Sequence, residues 1–562
     1  MKPNEDSTLL RGGSPAPSLK PAPQIPAEAV TTTESQVPLE KREAGEFPRG
    51  YSCSLDEVSA TFSKALRANF SEVSIGGTVV QANGYDCGDT PIVVVQNFIP
   101  SLREPGGMPI QINPGPHADK SLNHLSVPSL ADNEIALTTP LPLGMLEYYE
   151  ERGLLASRDR VISVPVDDSS VAHHGFPHFD PLSLAVSRRL ELGGVFFVSA
   201  FTSRFIRSQA EQLGLKPVQM SDSFITNDKV GFGMWSEYYG YSACPRIVVT
   251  SANDVERAAS RFRNSPVWVK FSHAFGGDLL FKCEAPLNSS QILGCIERMY
   301  KAVGLASKVN QYGGMSMDEL WAPGDIAPRC GGIVIEQDAR YMRSQSSPGK
   351  VLCTGSNLME VHSDGSCRVK GYFEQIIGAA GEFLGSAAFD PLERFGPCMK
   401  AELDRQFGAI GRYCDERLQL QGIVGIDFMI IEDSNGEIRP VMIELNGRPP
   451  VSAFSHIVGT QKLSAPYWVS RCVSGPSTLE SAGDFERLVT VGSTNYARTD
   501  WKTGAVIPMC LATVSNHGDN GSTSVLSPSP RAQVLVAGES QAHCDEIFKL
   551  LERHKGVRFN AG

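Results

Sequence analysis

GIVGIDFMIIEDSNGEIRPVMIELNGRPP, from Gly422 to Pro450, reads as two apolar strands joined by a polar turn. IVGIDFMII carries Asp427, the turn EDSNGE supplies Asn435 and Gly436, and VMIELNGR carries Glu444, Asn446 and Arg448. Pairing of the two strands brings Asp427, Glu444 and Asn446 together. Two carboxylates and an amide oxygen at the ends of paired strands make a hard oxygen-ligand set. That set suits Mg²⁺, which takes few protein ligands and completes its octahedron with water and phosphate oxygens. The alternative is an ordinary hairpin whose acids face solvent. Against it stands the apolar company on both sides of each acid, because a carboxylate inside a buried run needs a cation or donors.

Composition narrows the classes. A chain of 562 residues with 41% hydrophobic content has core enough for two to four domains. A net charge of −11 argues against a general nucleic-acid binder, which would show a basic face. No apolar run approaches the roughly 18 residues needed to span a bilayer, and the N-terminus shows no apolar core for a secretory signal. The 13 cysteines are scattered without a C-x-x-C pair, so no disulfide framework or zinc ribbon is expected and a reducing cytoplasm is the simplest home.

Residues 1–50 are rich in Pro, Ser, Thr, Ala and Glu and read as a disordered tail. From about Tyr51, helical and strand patterns alternate: LDEVSATFSKALRANF, TPIVVVQNFIPS, LGMLEYYEERGLLASR, RVISVPVD and GGVFFVSAFTSRFIRSQAEQLG. Strands alternating with helices predict an α/β layer with a parallel sheet. A loop carrying His173, His174, His178 and Asp180 could bind a metal, but its irregular setting reads first as a plain surface loop.

Sharper signals begin near Ser221. A lysine, Lys229, opens a helix; IVVT and VWVKF are strands; and the second runs into a loop containing Gly276 and Gly277. Lys270, inside VWVKF, either snorkels at a strand edge or is aimed at an anion. The adjacent glycine pair favours the anion, since glycines let backbone N–H groups approach phosphate oxygens. Neither G-x-x-x-x-G-K-[ST] nor G-x-G-x-x-G is present. In GGIVIEQDARYM, Ile333 to Ile335 read as a short buried strand with Glu336, Gln337 and Asp338 at its end. Such an end is either a solvated terminus or a hinge whose backbone reads an adenine edge while an acid meets ribose hydroxyls. KVLCTGSNLMEVHSDGSCRVKGYFEQIIG then looks like a hairpin with a Ser-Asp-Gly turn, and PCMKAELDRQFGAIGRYCDERLQLQG like an amphipathic helix.

In this order, NDK at Asn227 to Lys229, VWVKFSHAFGG at Val267 to Gly277, VIEQDA at Val334 to Ala339, GIDFMI at Gly425 to Ile430 and IELNGR at Ile443 to Arg448 resemble the ATP-grasp superfamily of ligases. The upstream stretch SVPSLADNEIALTTPLPLGMLEYYEERGLL is more loosely similar to the pheganomycin-type peptide ligases of that superfamily. The resemblance implies a pre-ATP-grasp α/β domain over 51–220, an α+β two-lobed ATP-grasp domain over 221–472 and a small α/β C-terminal domain over 473–562. The last reads as strands GAVIPMCLATV and AQVLVAGES, a flexible loop NHGDNGSTSVLSPSPR and a final helix HCDEIFKLLERH.

It also implies an ATP-dependent, ADP-forming ligase that activates a carboxylate as an acylphosphate and couples it to an amine. Lys229 and Lys270 would neutralise phosphate charge, Gly276 and Gly277 would cover the transferred phosphoryl group, and Glu336, Gln337 and Asp338 would form the nucleotide hinge, with Asp338 preferred for the ribose. Asp427, Glu444 and Asn446 would hold Mg²⁺, or Mn²⁺ in its place, and Arg448 would meet an acyl oxygen. The pattern departs from the family at Gly425, where many relatives have an arginine; either Arg340 or Arg448 supplies that charge or the carboxylate substrate is held differently. The implied partners are a small-molecule carboxylate and an amine, amino acid or peptide, and the large N-terminal part could support a homodimer. Two other readings remain: a non-catalytic nucleotide-binding regulatory or scaffold module using the Pro-rich tail for docking, and a kinase of the same fold.

Overall fold

The computed structural model describes residues 92–95, 102–103, 109–110, 124–130, 134–138, 141–163, 196–199, 216–217, 229–249, 252–271, 280–302, 333–343, 347–362, 364–378, 383–418, 420, 422–474, 481–511, 532–555 and 557–559. All lie in one compact unit spanning Ser52–Gly562. The Pro-rich tail, the patterns at 55–70 and 200–213, the His173 loop, Gly276, Gly277 and the loop at 516–531 fall outside them.

Three sheets carry the chain. Val161–Ser163, Glu134–Thr138, Ile92–Val95, Phe196–Ser199 and Lys216–Pro217 form an all-parallel sheet in that spatial order. This is the parallel α/β layer expected from the alternating patterns, and the helix expected from LGMLEYYEERGLLASR is Met145–Glu151. The second sheet is antiparallel, ordered Leu280–Cys283, Val267–Phe271, Ile333–Gln337, Arg246–Val249. Helices Ala252–Arg261 and Ser289–Ala302 cover it, and Val255, Phe262, Ile292, Ile296 and Met299 pack with Val267, Val269 and Ile335 into one core.

The third sheet, antiparallel throughout, runs Ile438–Asn446, Gly422–Glu432, Lys350–Val361, Cys367–Ile377, Phe383–Ala388, Tyr467–Ser474, Ala532–Gly538, Ala505–Cys510, with Arg558–Phe559 added on Tyr467–Ser474. The two hairpins expected from the sequence are adjacent in it, joined through Lys350–Val361 and Gly422–Glu432. Helix Pro391–Tyr413, with a break at Gly396, lays Leu403, Phe407, Ile410 and Tyr413 on the face that shows Val424, Ile426 and Phe428. The opposite face, with Ile423, Leu358 and Phe373, packs on Trp468, Phe454 and the C-terminal strands. The mixture of a parallel α/β layer with large antiparallel sheets is the fold class the sequence predicts.

The opening hairpin closes as its turn chemistry demands. Asp433 Oδ1 accepts from the backbone N–H groups of Asn435 (2.8 Å) and Glu437 (3.1 Å), and Gly436 takes the positive φ of 79° that the turn requires. A β-bulge between Asp427 and Phe428 then changes the pairing. Without it Asp427 would face Ile443; with it Asp427 faces Glu444, while Phe428 and Met442 pair and are fully buried. One extra residue therefore puts both acids on one face and keeps the apolar pair in the core.

Beyond the hairpin, helix Val451–His456 packs against the third sheet. Its His456 ring lies beside Phe373 and Trp468, with centroids 5.4 and 6.0 Å away. Burial lowers its pKa from 6.5 to about 4, and a hydrogen bond with the backbone of Lys370 opposes this only weakly. The unfolded chain takes up this proton as pH falls through about 6.5, whereas the folded chain resists it down to about 4. This group's contribution to stability is thus fully present above pH 6.5 and is lost as pH falls through that window. Denaturant midpoints measured from pH 7 to pH 4 should show a shallower decline for His456→Gln than for the wild type.

Candidate functional site

Seven of the residues singled out by sequence meet where the second sheet approaches the hairpin of the third. The approach is fixed by backbone: Met442 N donates to Ser242 O (2.7 Å), and Ala243 bridges to Met442. Helix Lys229–Met234 begins beside this crossing, and its Phe232 stacks on Tyr241 and meets Tyr413 edge-on.

At the crossing lies a buried ionic cluster. Lys270 Nζ stands 2.6 Å from Glu336 Oε1, and Arg246 Nη2 stands 2.9 Å from Glu336 Oε2. Lys270, Arg246 and Glu336 side chains are at most 8% exposed. Burial alone would raise the Glu336 carboxyl pKa, but the Lys270 ammonium and the Arg246 guanidinium outweigh it and hold the pKa below the ordinary value. Arg246 also donates through Nη1 to the carbonyl of Lys229, tying the cluster to the helix start. Lys229 Nζ then reaches Glu444 Oε1 at 2.9 Å.

The hairpin face continues the network. Asp427 accepts from Gln375 Nε2 at 3.0 Å and from Asn446 Nδ2 at 3.2 Å. Asn446 Oδ1 in turn accepts from Arg448 Nη2 at 3.1 Å, and Arg448 Nη1 donates to Pro449 O. Burial, then the facing charge of Glu444, push Asp427 up to about 6. Burial lowers the pKa of Arg448 to about 10, with Glu444 and Asp427 acting the other way, so it remains a cation at neutral pH.

Two facing acids whose charges disfavour each other, with an amide beside them, fit a small hard divalent cation such as Mg²⁺. Among the described residues no group of three or more His, Cys, Asp and Glu side chains could hold a metal ion. An ion here would therefore rely on two carboxylates and one amide oxygen, which keeps a second lone pair beside the one that accepts from Arg448.

Other expected residues lie differently. The Ile333 strand runs on through Glu336 and Gln337, beyond the expected end at Ile335, because the ladders to Val267–Phe271 and Arg246–Val249 extend that far and Glu336 finds two cations. Gln337 turns its amide to Ser265 Oγ (3.1 Å) and Tyr341 O (3.0 Å). Asp338 caps the following helical turn and pairs with Arg340 Nη2 at 2.5 Å. Arg340 is therefore committed to Asp338, and of the two arginines it is Arg448 that lies beside the hairpin acids. At Gly425 an added Cβ would stand 2.9 Å from the Pro450 ring, so a side chain has no room there.

Arg246 and Gln375 were not anticipated from the sequence. Arg246 could have been suspected as a charge at the start of an apolar strand directly after Pro245. Gln375 gave no signal.

No protein-family model matches the chain, and no curated protein does. Solved structures similar to it include a biotin carboxylase–beta-gamma-ATP complex from Campylobacter jejuni, at 12% identity and TM-score 0.49, covering 83% of this chain and 92% of that one. An N5-carboxyaminoimidazole ribonucleotide synthetase from Thermus thermophilus matches at 12% identity and TM-score 0.42, covering 82% and 98%. A D-alanyl-alanine synthetase A from Vibrio cholerae matches at 13% identity and TM-score 0.35, covering 66% and 93%. Likenesses at this level carry no weight for family, activity or substrate. Among the described residues no helix is long and apolar enough to cross a membrane.

Among the described residues Glu336 is the acid that pairs with both Lys270 and Arg246, so Glu336→Ala should cost about 3–5 kcal/mol by removing the counter-ion of two buried cations. Chemical denaturation measures it; a loss below about 1 kcal/mol would mean that the ionic cluster does not hold the sheet.

Proposed function

We propose that the chain is an ATP-dependent, ADP-forming carboxylate–amine ligase of the ATP-grasp type. The observation that carries this reading is the single run of paired charges from Lys270 through Glu336, Arg246 and Lys229 to Glu444, ending at Asp427, Asn446 and Arg448. Residues separated by more than 200 positions and drawn from two sheets converge on one place, and each has a part in phosphoryl transfer.

Lys270 and Arg246 share one carboxylate, so this trio retains a net positive charge suited to a polyphosphate. Asp427, Glu444 and Asn446 would hold Mg²⁺, or Mn²⁺. When bound, the ion supplies charge neutralisation to the phosphates. A substrate carboxylate oxygen attacks the γ-phosphorus, the bond to the β-phosphate oxygen breaks, and ADP leaves. The amine nitrogen then attacks the acyl carbon, phosphate departs with the electron pair of the C–O bond, and the nitrogen loses a proton to give the amide. Arg448 presents a fixed fork of donors beside the hairpin acids, placed to steady the developing oxyanion. Glu336, Gln337 and Asp338 would form the nucleotide hinge, and since their side chains and the N–H groups of Gln337 and Asp338 already have partners, a nucleotide would have to displace one of these contacts or meet a backbone carbonyl. Gly276 and Gly277 would close over the phosphates.

The same reading divides the chain at about residues 50, 220 and 472 into tail, pre-ATP-grasp, ATP-grasp and C-terminal parts. It makes the product peptide-like, as in the pheganomycin-type ligases, and the enzyme cytoplasmic, with a homodimer as the assembly to examine.

Incubating the protein with ATP, Mg²⁺, hydroxylamine and panels of carboxylates and amino acids should release ADP and free phosphate and form a hydroxamate. Asp427→Asn and Glu444→Ala should each reduce ADP release by about 100-fold or more, the scale on which charge-stabilising groups act, and chelation of Mg²⁺ should abolish it. ATP binding without turnover, unaffected by Glu444→Ala, would favour a regulatory module. A stable phosphorylated product without free phosphate would favour a kinase.

A further inference from the structure

The second sheet holds a pair of thiols that the ligase reading does not use. Cys283 closes the edge strand Leu280–Cys283, and Cys295 lies on helix Ser289–Ala302, which packs over that sheet. Their Sγ atoms stand 3.1 Å apart, although twelve positions separate them in sequence and no C-x-x-C motif announces them. A third group completes the arrangement: Arg298 Nη2 lies 3.1 Å from Cys295 Sγ, and its guanidinium also lies over the Phe281 ring at 4.8 Å. Cys283 Sγ is 3.7 Å from the Gln291 carbonyl. Both cysteines are buried, but Gln291 and Arg298, the residues next to the two sulfurs, are solvent-exposed, so the pair lies at the outer margin of its core with one layer of side chains over it.

We propose that Cys283 and Cys295 form a redox-modifiable dithiol, oxidised by hydroperoxides to a disulfide that fastens the edge strand to its covering helix. The two thiols divide the labour. The Cys283 contact and the Arg298 guanidinium, 3.1 Å from Cys295 Sγ, favour the Cys295 thiolate against burial, while Cys283, with no cation beside its sulfur among the described residues, is pushed up. Cys295 is thus the nucleophile and Cys283 the resolving group. The Cys295 thiolate attacks one peroxide oxygen, the O–O bond breaks, hydroxide leaves, and a sulfenic acid results. Cys283 sulfur attacks that sulfur, the S–O bond breaks, and the two thiol protons end in water. In sum two thiols and one hydrogen peroxide give one disulfide and two waters, with two electrons passing from sulfur to oxygen. A dithiol reductant reverses the change.

The bond would act on a strand that matters to the neighbouring cluster. Leu280 pairs with Lys270, and Cys283 with Val267, so fastening Cys283 to the helix restrains the ladder that presents Lys270.

The full chain is reduced, freed of reductant, exposed to a slight excess of hydrogen peroxide, alkylated under denaturing conditions and digested for mass spectrometry. The expected product is a Cys283–Cys295 linked peptide, lighter by two hydrogens and returned to two alkylated peptides by dithiothreitol. Cys295→Ser should leave Cys283 fully alkylated. Arg298→Gln should slow linkage at neutral pH by about threefold or more, through the smaller thiolate fraction. Cys398, an exposed thiol, serves as the internal control for oxidant. Both peptides remaining alkylated after Cys398 has been oxidised would overturn the proposal, as would separate sulfinic acids on Cys283 and Cys295 without a linked form.

Discussion

A carboxylate with almost no access to water, Glu336, sets the geometry on which the rest of the site depends. It lies mid-sheet, opposite Trp268 on one side and Arg246 on the other, where an isolated negative charge would cost several kcal/mol. Two cations remove that cost, one on each flanking strand, and so the ends of three strands are fixed relative to one another. Arg246 spends its remaining donors on the Lys229 carbonyl and the Cys244 carbonyl. The helix start is thereby anchored, and Lys229 reaches across to Glu444 on a different sheet. One buried acid therefore aligns two lysines from distant parts of the chain.

The second constraint works through like charges. Asp427 and Glu444 sit opposite each other in register, and they are unequally served: Lys229 pairs with Glu444, while Asp427 receives the neutral donors Gln375 and Asn446. An apolar pair at these positions would pack without any such tension. A positive charge placed between them would relieve both acids at once.

What the sequence made legible follows from which interactions are local. The hairpin was readable because its strands are continuous apolar runs and its turn carries Asp433, Asn435 and Gly436 at the positions that turn chemistry requires. Lys229, Lys270 and the alternating α/β layer were readable for the same reason. The bulge at Asp427 was not, because the residues allow Asp427 to face either Ile443 or Glu444, and the Phe428–Met442 pair beside it is the same in both registers. Arg246 and Gln375 act across strands far apart in sequence, where single-chain patterns carry no information. The ends of Ile333–Gln337 were misplaced because Glu336 looks like a solvated strand terminus until its two cations are in view.

Gly425 shows how a missing charge can be a packing decision. An arginine two residues before Asp427 would project from the same face of the strand, and that space is filled by Pro450. Pro450 is held there because it begins helix Val451–His456, which buries Ala453, Phe454 and Ser455 against the third sheet. The chain between the Glu444 strand and that helix has only Gly447 to Pro449 to turn in, and Arg448 falls within it. Its guanidinium is thereby drawn under the hairpin end to Asn446, within the field of both acids. The same tight connection that excludes a side chain at position 425 supplies a cation from position 448. Asn446 joins the two ends of this arrangement, donating through Nδ2 to Asp427 and accepting through Oδ1 from Arg448, so the acid face and the cation that the turn supplies are held in one fixed relation.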